Sequence, residues 1–198
     1  MSKKIGKLLI LHGSSSSGKT EIAKELLSIQ EDYTHEHLHR FVNDSAKRYK
    51  KNTLNIIKHM ELAATHNTFT ESLFLPIKKD ARYLWDQAIE KMKRNLIAKL
   101  RRGECIIFEG ILQTHGTCEN FFKALTHHHV ILIKVHAPFE SIEKKEQSRN
   151  NRINGWAKTH YFTMHKNKQY DFVVDTGKHS AKECAKQIKN WIDTCPQQ

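Results

Sequence analysis

The chain has 198 residues, 38% of them hydrophobic and 27% charged, with 33 Lys and Arg against 21 Asp and Glu for a formal net charge of +12. This length and balance fit one soluble globular domain over residues 1–198, and no apolar run approaches the roughly twenty residues of a membrane helix. The charge favours anionic partners such as a nucleotide or a phosphorylated small molecule, but the lysines are scattered and no aromatic–basic alternation marks a nucleic-acid surface.

In chain order, the apolar run Leu8-Leu9-Ile10-Leu11 predicts a first strand. Its basic flank (Lys3, Lys4, Lys7) imitates a signal peptide, yet the run is too short and leads into a glycine-serine loop instead of a cleavage site. A cytoplasmic protein is the expectation. The loop reads Gly13-Ser14-Ser15-Ser16-Ser17-Gly18-Lys19-Thr20, and Ile22, Ala23, Leu26 and Leu27 then recur at helical spacing. Strand, G-x-x-x-x-G-K-[ST] and helix together form a phosphate-binding P-loop. Gly13 and Gly18 allow a tight turn and close approach to phosphate, while the loop amides and the helix terminus attract the anion. Lys19 supplies a charge for the outer phosphates of ATP, and Thr20 a hydroxyl suited to Mg²⁺.

Glu36 to Val42 alternates polar and apolar residues and predicts a second strand that delivers Asn43-Asp44-Ser45 at its end. A carboxylate there would lie where open α/β sheets bind ligands, although Asp44 or Ser45 could equally cap a following helix. Leu54, Ile57, Met60 and Ala64 suggest a helix, and Thr65 to Pro76 a loop or short strand pair. The clearest helix is Lys79 to Arg102, with Ala81, Leu84, Trp85, Ala88, Ile89, Met92, Leu96 and Leu100 at three- and four-residue steps.

Cys105 to Phe108 predicts a buried strand with Glu109-Gly110 at its tip, where a carboxylate would support Mg²⁺, often through water. Glu119 to Leu125 reads as a short helix and Val130 to Val135 as a further buried strand. Pro138 suits the start of the next helix, which runs toward Arg149 and Arg152, two guanidinium groups spaced to share one helix face and one phosphate. Tyr170 to Asp175 reads as the last strand, Thr176-Gly177 as a turn, and Ser180 as the cap of a closing helix. Cys105, Cys118, Cys184 and Cys195 contain no C-x-x-C pair and read as reduced and structural. The run His127-His128-His129 alternates faces on a strand and does not make a metal site. Alternating strands and helices argue a parallel sheet with helices on both faces.

The stretch Glu146-Gln147-Ser148-Arg149-Asn150-Asn151-Arg152-Ile153-Asn154-Gly155-Trp156-Ala157, then His165, Tyr170-Asp171 and Val174-Asp175-Thr176, resembles the chloramphenicol phosphotransferase family, as do Gly13 to Thr20 and Val42 to Ser45. The resemblance implies an α/β P-loop fold of nucleotide-kinase type with a small arginine-bearing lid at about 146–165, moving the γ-phosphoryl group of ATP to a hydroxyl of a small molecule. It implies that Asp44 accepts the hydroxyl proton, that Arg149 and Arg152 neutralise the transferring group with Lys19, and that Asp175-Thr176-Gly177 approach the adenine, so that Thr176 and Gly177 join the loop residues in binding ATP. Where the family has paired aspartates after the third strand, this chain has Glu109-Gly110, and the segment between Asp44 and Glu109 differs. The acceptor therefore stays open, with a nucleotide, nucleoside or sugar kinase as one alternative and a basic nucleic-acid-binding ATPase as a second. Oligomeric state is not legible.

Overall fold

Five strands form one parallel sheet in the order β2-β3-β1-β4-β5: β1 Lys7–His12, β2 Tyr33–His37, β3 Cys105–Gly110, β4 His129–His136 and β5 Phe172–Asp175. The computed structural model describes residues 6–47, 75–110, 117–148, 156–162, 164–165 and 168–195. β1 is central because it is apolar on both faces, with five of its six residues buried (Leu8 to His12). Leu9 and Leu11 join Ile107, Ile133 and Val135 beneath α1 (Lys19–Ile29) and α7 (Ala181–Thr194). Leu8 and Ile10 join Ile106 and Phe108 beneath α2 (Leu38–Ala46), α3 (Leu75–Arg101) and α4 (Thr117–Ala124). Each fully buried side chain of this size contributes roughly 1.5–3 kcal/mol, so the central strands, with their carboxyl ends beside the loop, form the firmest platform in the chain.

The helices follow their apolar stripes. Leu84, Trp85, Ala88, Ile89, Met92, Leu96 and Leu100 of α3 are all buried, as their spacing predicts. α7 begins with a capping box: Glu183 N–H donates to Ser180 Oγ, and Ser180 N–H donates to Glu183 Oε2 at 2.8 Å. α5 (Phe139–Gln147) starts directly after Pro138, and α6 (Trp156–Tyr161) follows it. The buried Glu146 carboxylate accepts the Ala157 amide at 2.9 Å, tying α5 to α6.

One expected element moves. The second strand is Tyr33–His37, not Glu36 to Val42, and Asp44 lies within helix α2 instead of at a strand end. The reason is in the side chains: Leu38, Phe41, Val42, Ser45 and Ala46 are the buried residues of α2, and their spacing is helical. α3 begins at Leu75, so Pro76 belongs to its first turn. The expected helix through Leu54, Ile57, Met60 and Ala64 lies outside the described residues, as do Arg149 and Arg152.

Candidate active site

The loop after β1 is shaped for an anion. A Cβ at Gly13 would stand 2.5 Å from the Val135 carbonyl oxygen and 2.7 Å from Ser17 Oγ, and Gly18 has φ 92°. Both positions thus need glycine, the first for space and the second for its left-handed backbone. Ser16 also adopts a left-handed conformation (φ 62°), a strain that a non-glycine residue accepts where the surroundings enforce it. The hydroxyls of Ser14, Ser16 and Ser17 are buried without a hydrogen-bond partner among the described residues. Lys19 Nζ donates to the Gly13 and Ser14 carbonyls at 2.8 and 2.6 Å, and so sits over the loop at the start of α1. Orphaned buried donors, an ammonium group and a helix N-terminus at one place suit a polyphosphate.

Thr176 fastens the end of β5 to this loop. Its hydroxyl is shared between the Ser17 carbonyl (3.0 Å) and the His136 carbonyl (3.2 Å), and its methyl carbon lies 3.3 Å from where a Gly18 Cβ would be. Gly177 is pressed against Pro138, 2.4 Å from an added Cβ to its Cδ, and its amide donates to Asp175 Oδ1 at 2.8 Å.

Thr20 Oγ1 donates to Glu109 Oε2 at 2.8 Å. The carboxylate comes from the tip of β3, which pairs with β1, so sheet register sets the contact. His35 Nε2 of β2 approaches Glu109 Oε1 at 3.3 Å, and His37, in register with Glu109, stacks loosely on His35 at 5.9 Å between ring centroids. Burial alone would raise the Glu109 carboxyl; the His35 and Thr20 contacts and the Lys19 charge outweigh it and hold it below the usual carboxylate range. A hydroxyl and an ionised carboxylate side by side next to a phosphate loop are hard oxygen donors, and Mg²⁺ ordinarily takes one or two such protein ligands with water and phosphate oxygens. The pair fits that ion.

The structure unites Gly13 to Thr20 with Glu109, Thr176 and Gly177, but it sets Asp44 apart. Asp44 Oδ2 accepts from Lys91 Nζ of α3 at 3.4 Å, beside a cavity of about 300 Å³ lined by Ser45, Gln87, Glu90, Lys91 and Arg94. No loop residue lines that cavity.

Comparison with known proteins decides the family. Residues 6–193 match the model of the chloramphenicol phosphotransferase-like proteins. The chain belongs to that family. Two Mycobacterium tuberculosis relatives (strains CDC 1551 / Oshkosh and ATCC 25618 / H37Rv), each named provisionally as an O-phosphotransferase, are 23% identical over 192 residues, covering 96% of this chain and 84% of theirs. The fold is that of the P-loop kinases. It is shared with shikimate kinase from Acinetobacter baumannii in complex with shikimate (TM-score 0.61, 12% identity, 99% of this chain and 97% of that one). An APS kinase from Mycobacterium tuberculosis in complex with AMPPNP and APS is similar to the same degree (TM-score 0.61, 12% identity, 96% and 99% covered). A sugar kinase from Janibacter sp. HTCC2649 aligns with TM-score 0.59 at 16% identity over 96% of both chains.

Within this chloramphenicol phosphotransferase-like chain, the sequence reading passed over a cluster next to the loop. The Tyr170 hydroxyl stands 2.7 Å from Nδ1 of His12 and 2.6 Å from Nδ1 of His165, and the two imidazoles meet edge to face at 5.5 Å. One ring must donate to the phenol oxygen and the other accept from it. Burial raises the Tyr170 phenol far above its ordinary value. Burial, with Lys134, Lys168, His136 and Lys19 nearby, pushes His165 down to about 4, so it is neutral near pH 7. His165 and Tyr170 had surfaced only as part of the family resemblance. Nothing in the sequence pointed to His12, because a histidine ending a buried strand has no periodic signature.

Proposed function

We propose that this phosphotransferase is a Mg²⁺-dependent ATP:alcohol O-phosphotransferase acting on a small-molecule hydroxyl. The observation that carries the reading is the Thr20–Glu109 hydrogen bond at 2.8 Å, which places a metal-ready oxygen pair at the end of a loop whose buried hydroxyls and Lys19 suit a triphosphate. Phosphoryl transfer asks a protein chiefly for positioning and electrostatic stabilisation. Lys19 and the amides of the loop would hold the outer phosphates; Thr20 and Glu109 would hold Mg²⁺, Glu109 directly or through water. Bound there, the ion neutralises charge on the phosphates. Thr176 and Gly177 would border the nucleoside, and Arg149 and Arg152 would close over the phosphates, as the family resemblance implies.

For the proton of the attacking hydroxyl there are two candidates. The resemblance assigns it to Asp44. Position in the sheet favours His37, the last residue of β2 and the register partner of Glu109. Burial lowers the His37 imidazole below its ordinary value, against the opposing pull of Glu109, so it is a neutral proton acceptor near pH 7. We assign the step to His37 and keep Asp44 as the comparison.

The test is ADP formation from Mg-ATP across a panel of alcohols, chloramphenicol, nucleosides and sugars included, with Mg-ATP thermal shifts on the parent and Lys19→Ala. The reading expects an acceptor-dependent ADP signal and a thermal shift that Lys19→Ala abolishes. A shift of equal size in the variant would refute the loop's role. Hydrolysis stimulated only by DNA or RNA would favour the nucleic-acid-dependent ATPase instead.

A further inference from the structure

The kinase reading leaves the acceptor unnamed, and the sheet carries a clue to it that rests on that reading. β1 and β4 are in register with His12 beside Lys134, as Ile10 is beside Leu132. Ile10 and Leu132 lie against the core under α2, α3 and α4, so His12 and Lys134 stand side by side on that face, at the carboxyl edge of the sheet. His12 immediately precedes Gly13, which puts this spot at the base of the phosphate loop. On the other side of Lys134 the register partner is Val173, 53% exposed, so the face is open toward β5. The segment carrying His165, Lys168 and Tyr170 is pinned here by the two hydrogen bonds of the Tyr170 phenol.

The charges around this spot are of one sign. Every charged neighbour that acts on His165 is a cation or a titratable imidazole: Lys134, Lys168, His136 and Lys19. Lys134 is half-buried on an interior strand and has no carboxylate partner among the described residues. Lys19 is engaged by the loop carbonyls, but Lys134 is not. Half-buried lysines gathered without a counter-charge repel one another and lose hydration, and an oxyanion among them relieves both. The neutral Tyr170 and imidazole groups add hydrogen-bonding walls without a competing negative charge.

We propose that Lys134 and Lys168, beside the His12–Tyr170–His165 cluster, form an anion subsite for the acceptor, so that the alcohol phosphorylated by this enzyme also carries a phosphate or carboxylate group. The subsite is separate from the loop that takes the ATP phosphates and lies on the face of the sheet opposite α1.

The experiment uses the full chain saturated with Mg-AMPPNP, so that the loop is filled. Inorganic phosphate and acetate are titrated into it by calorimetry, into the parent and into Lys134→Met and Lys168→Met. The proposal expects one or both anions to bind and each substitution to weaken that binding roughly tenfold or more, the cost of losing a charge-assisted contact. The stronger of the two probes names the acceptor's anionic group. The dissociation constant for Mg-AMPPNP should change by less than about twofold in either variant. In turnover, ribose 5-phosphate or glycerate should exceed ribose or glycerol, and Lys134→Met should erase that preference through KM. Failure of both anions to bind the loaded parent overturns the proposal, and so does binding that neither variant weakens. Loss of Mg-AMPPNP affinity in Lys134→Met would assign the lysine to the nucleotide and overturn it too. Failure of Mg-AMPPNP to bind the parent would instead refute the kinase reading itself, and the subsite with it.

Discussion

Thr20 and Glu109, 89 positions apart in the chain, meet at 2.8 Å because β1 and β3 pair in parallel and end side by side. A hydroxyl from the first turn of a helix and a carboxylate from a strand tip are brought together by sheet register alone. If this pair holds Mg²⁺, Glu109→Gln should raise the Mg²⁺ concentration needed for half-maximal activity roughly tenfold or more and lower kcat by about a hundredfold, figures typical for loss of one catalytic electrostatic contact. Nucleotide binding without metal should persist, since Lys19 and the loop are untouched. An Mg²⁺ titration of ADP release against fluorescent-nucleotide binding measures both. Equal Mg²⁺ dependence in the variant would remove Glu109 from the metal site.

The two candidates for the hydroxyl proton separate by paired substitutions. His37→Gln should lower kcat by about 10²-fold or more with little change in the KM for ATP, as expected on removing a general base. Asp44→Asn should stay within a few-fold of the parent, because Asp44 faces Lys91 on α2 and α3. The opposite result would return the role to Asp44 and show that the helix reaches the acceptor when substrate is bound. Single-turnover rates at saturating ATP distinguish the two cleanly.

Stability should fall in mild acid through His165. Its folded pKa is lowered to about 4 from 6.5, so between these values the unfolded chain binds the proton and the folded chain does not. The group's contribution is therefore complete above pH 6.5, declines as the pH drops through the window, and is gone by about 4. Solvent reaches part of the ring, which reduces the expected loss to about 1–2 kcal/mol. Glu36 and Glu109, whose carboxyls are held below 4.5, add their own losses at still lower pH. Urea midpoints at pH 7.5, 5.5 and 4.0 should trend downward, and His165→Gln should flatten the slope between the first two. An unchanged slope would exclude His165 as its source.

Glu36 offers a test of architecture with no catalytic component. This buried carboxylate on β2 accepts from Arg40 at 3.0 Å, Asn95 at 3.3 Å and Lys99 at 2.7 Å, linking the edge strand to α2 and α3. Burial alone would raise its pKa, but the Lys99, Arg40 and Asn95 contacts win and lower it. Glu36→Ala leaves Lys99 half-buried without its charge partner and should cost about 2–4 kcal/mol, while Glu36→Gln keeps part of the network and should cost less. Thermal unfolding of the two variants gives the order. A loss of under about 0.5 kcal/mol in the alanine variant would mean the network is surface decoration.

The local patterns carried much of this protein. The P-loop, the long stripe of α3 and the capped start of α7 are set by neighbours a few residues apart, and all three occur where the spacing predicts. So does Glu109 at the tip of β3, because a short apolar run ended by an acidic residue has one natural place in a parallel sheet. β2 was misread because Leu38 and Val42 satisfy a two-residue period as well as a helical one, and only Phe41, Ser45 and Ala46 break the tie.

What tertiary structure alone decided are the contacts between distant segments. His12 touching Tyr170 across 158 positions, Lys134 standing next to His12, and Thr176 reaching back to Ser17 all depend on strand order and register, which no local window contains. The amino-acid sequence determined that a triphosphate loop exists and which face of each helix is buried. The packing of β4 and β5 beside β1 decided which charges that loop has for company, since electrostatic neighbours are fixed by distance in space and not by distance along the chain.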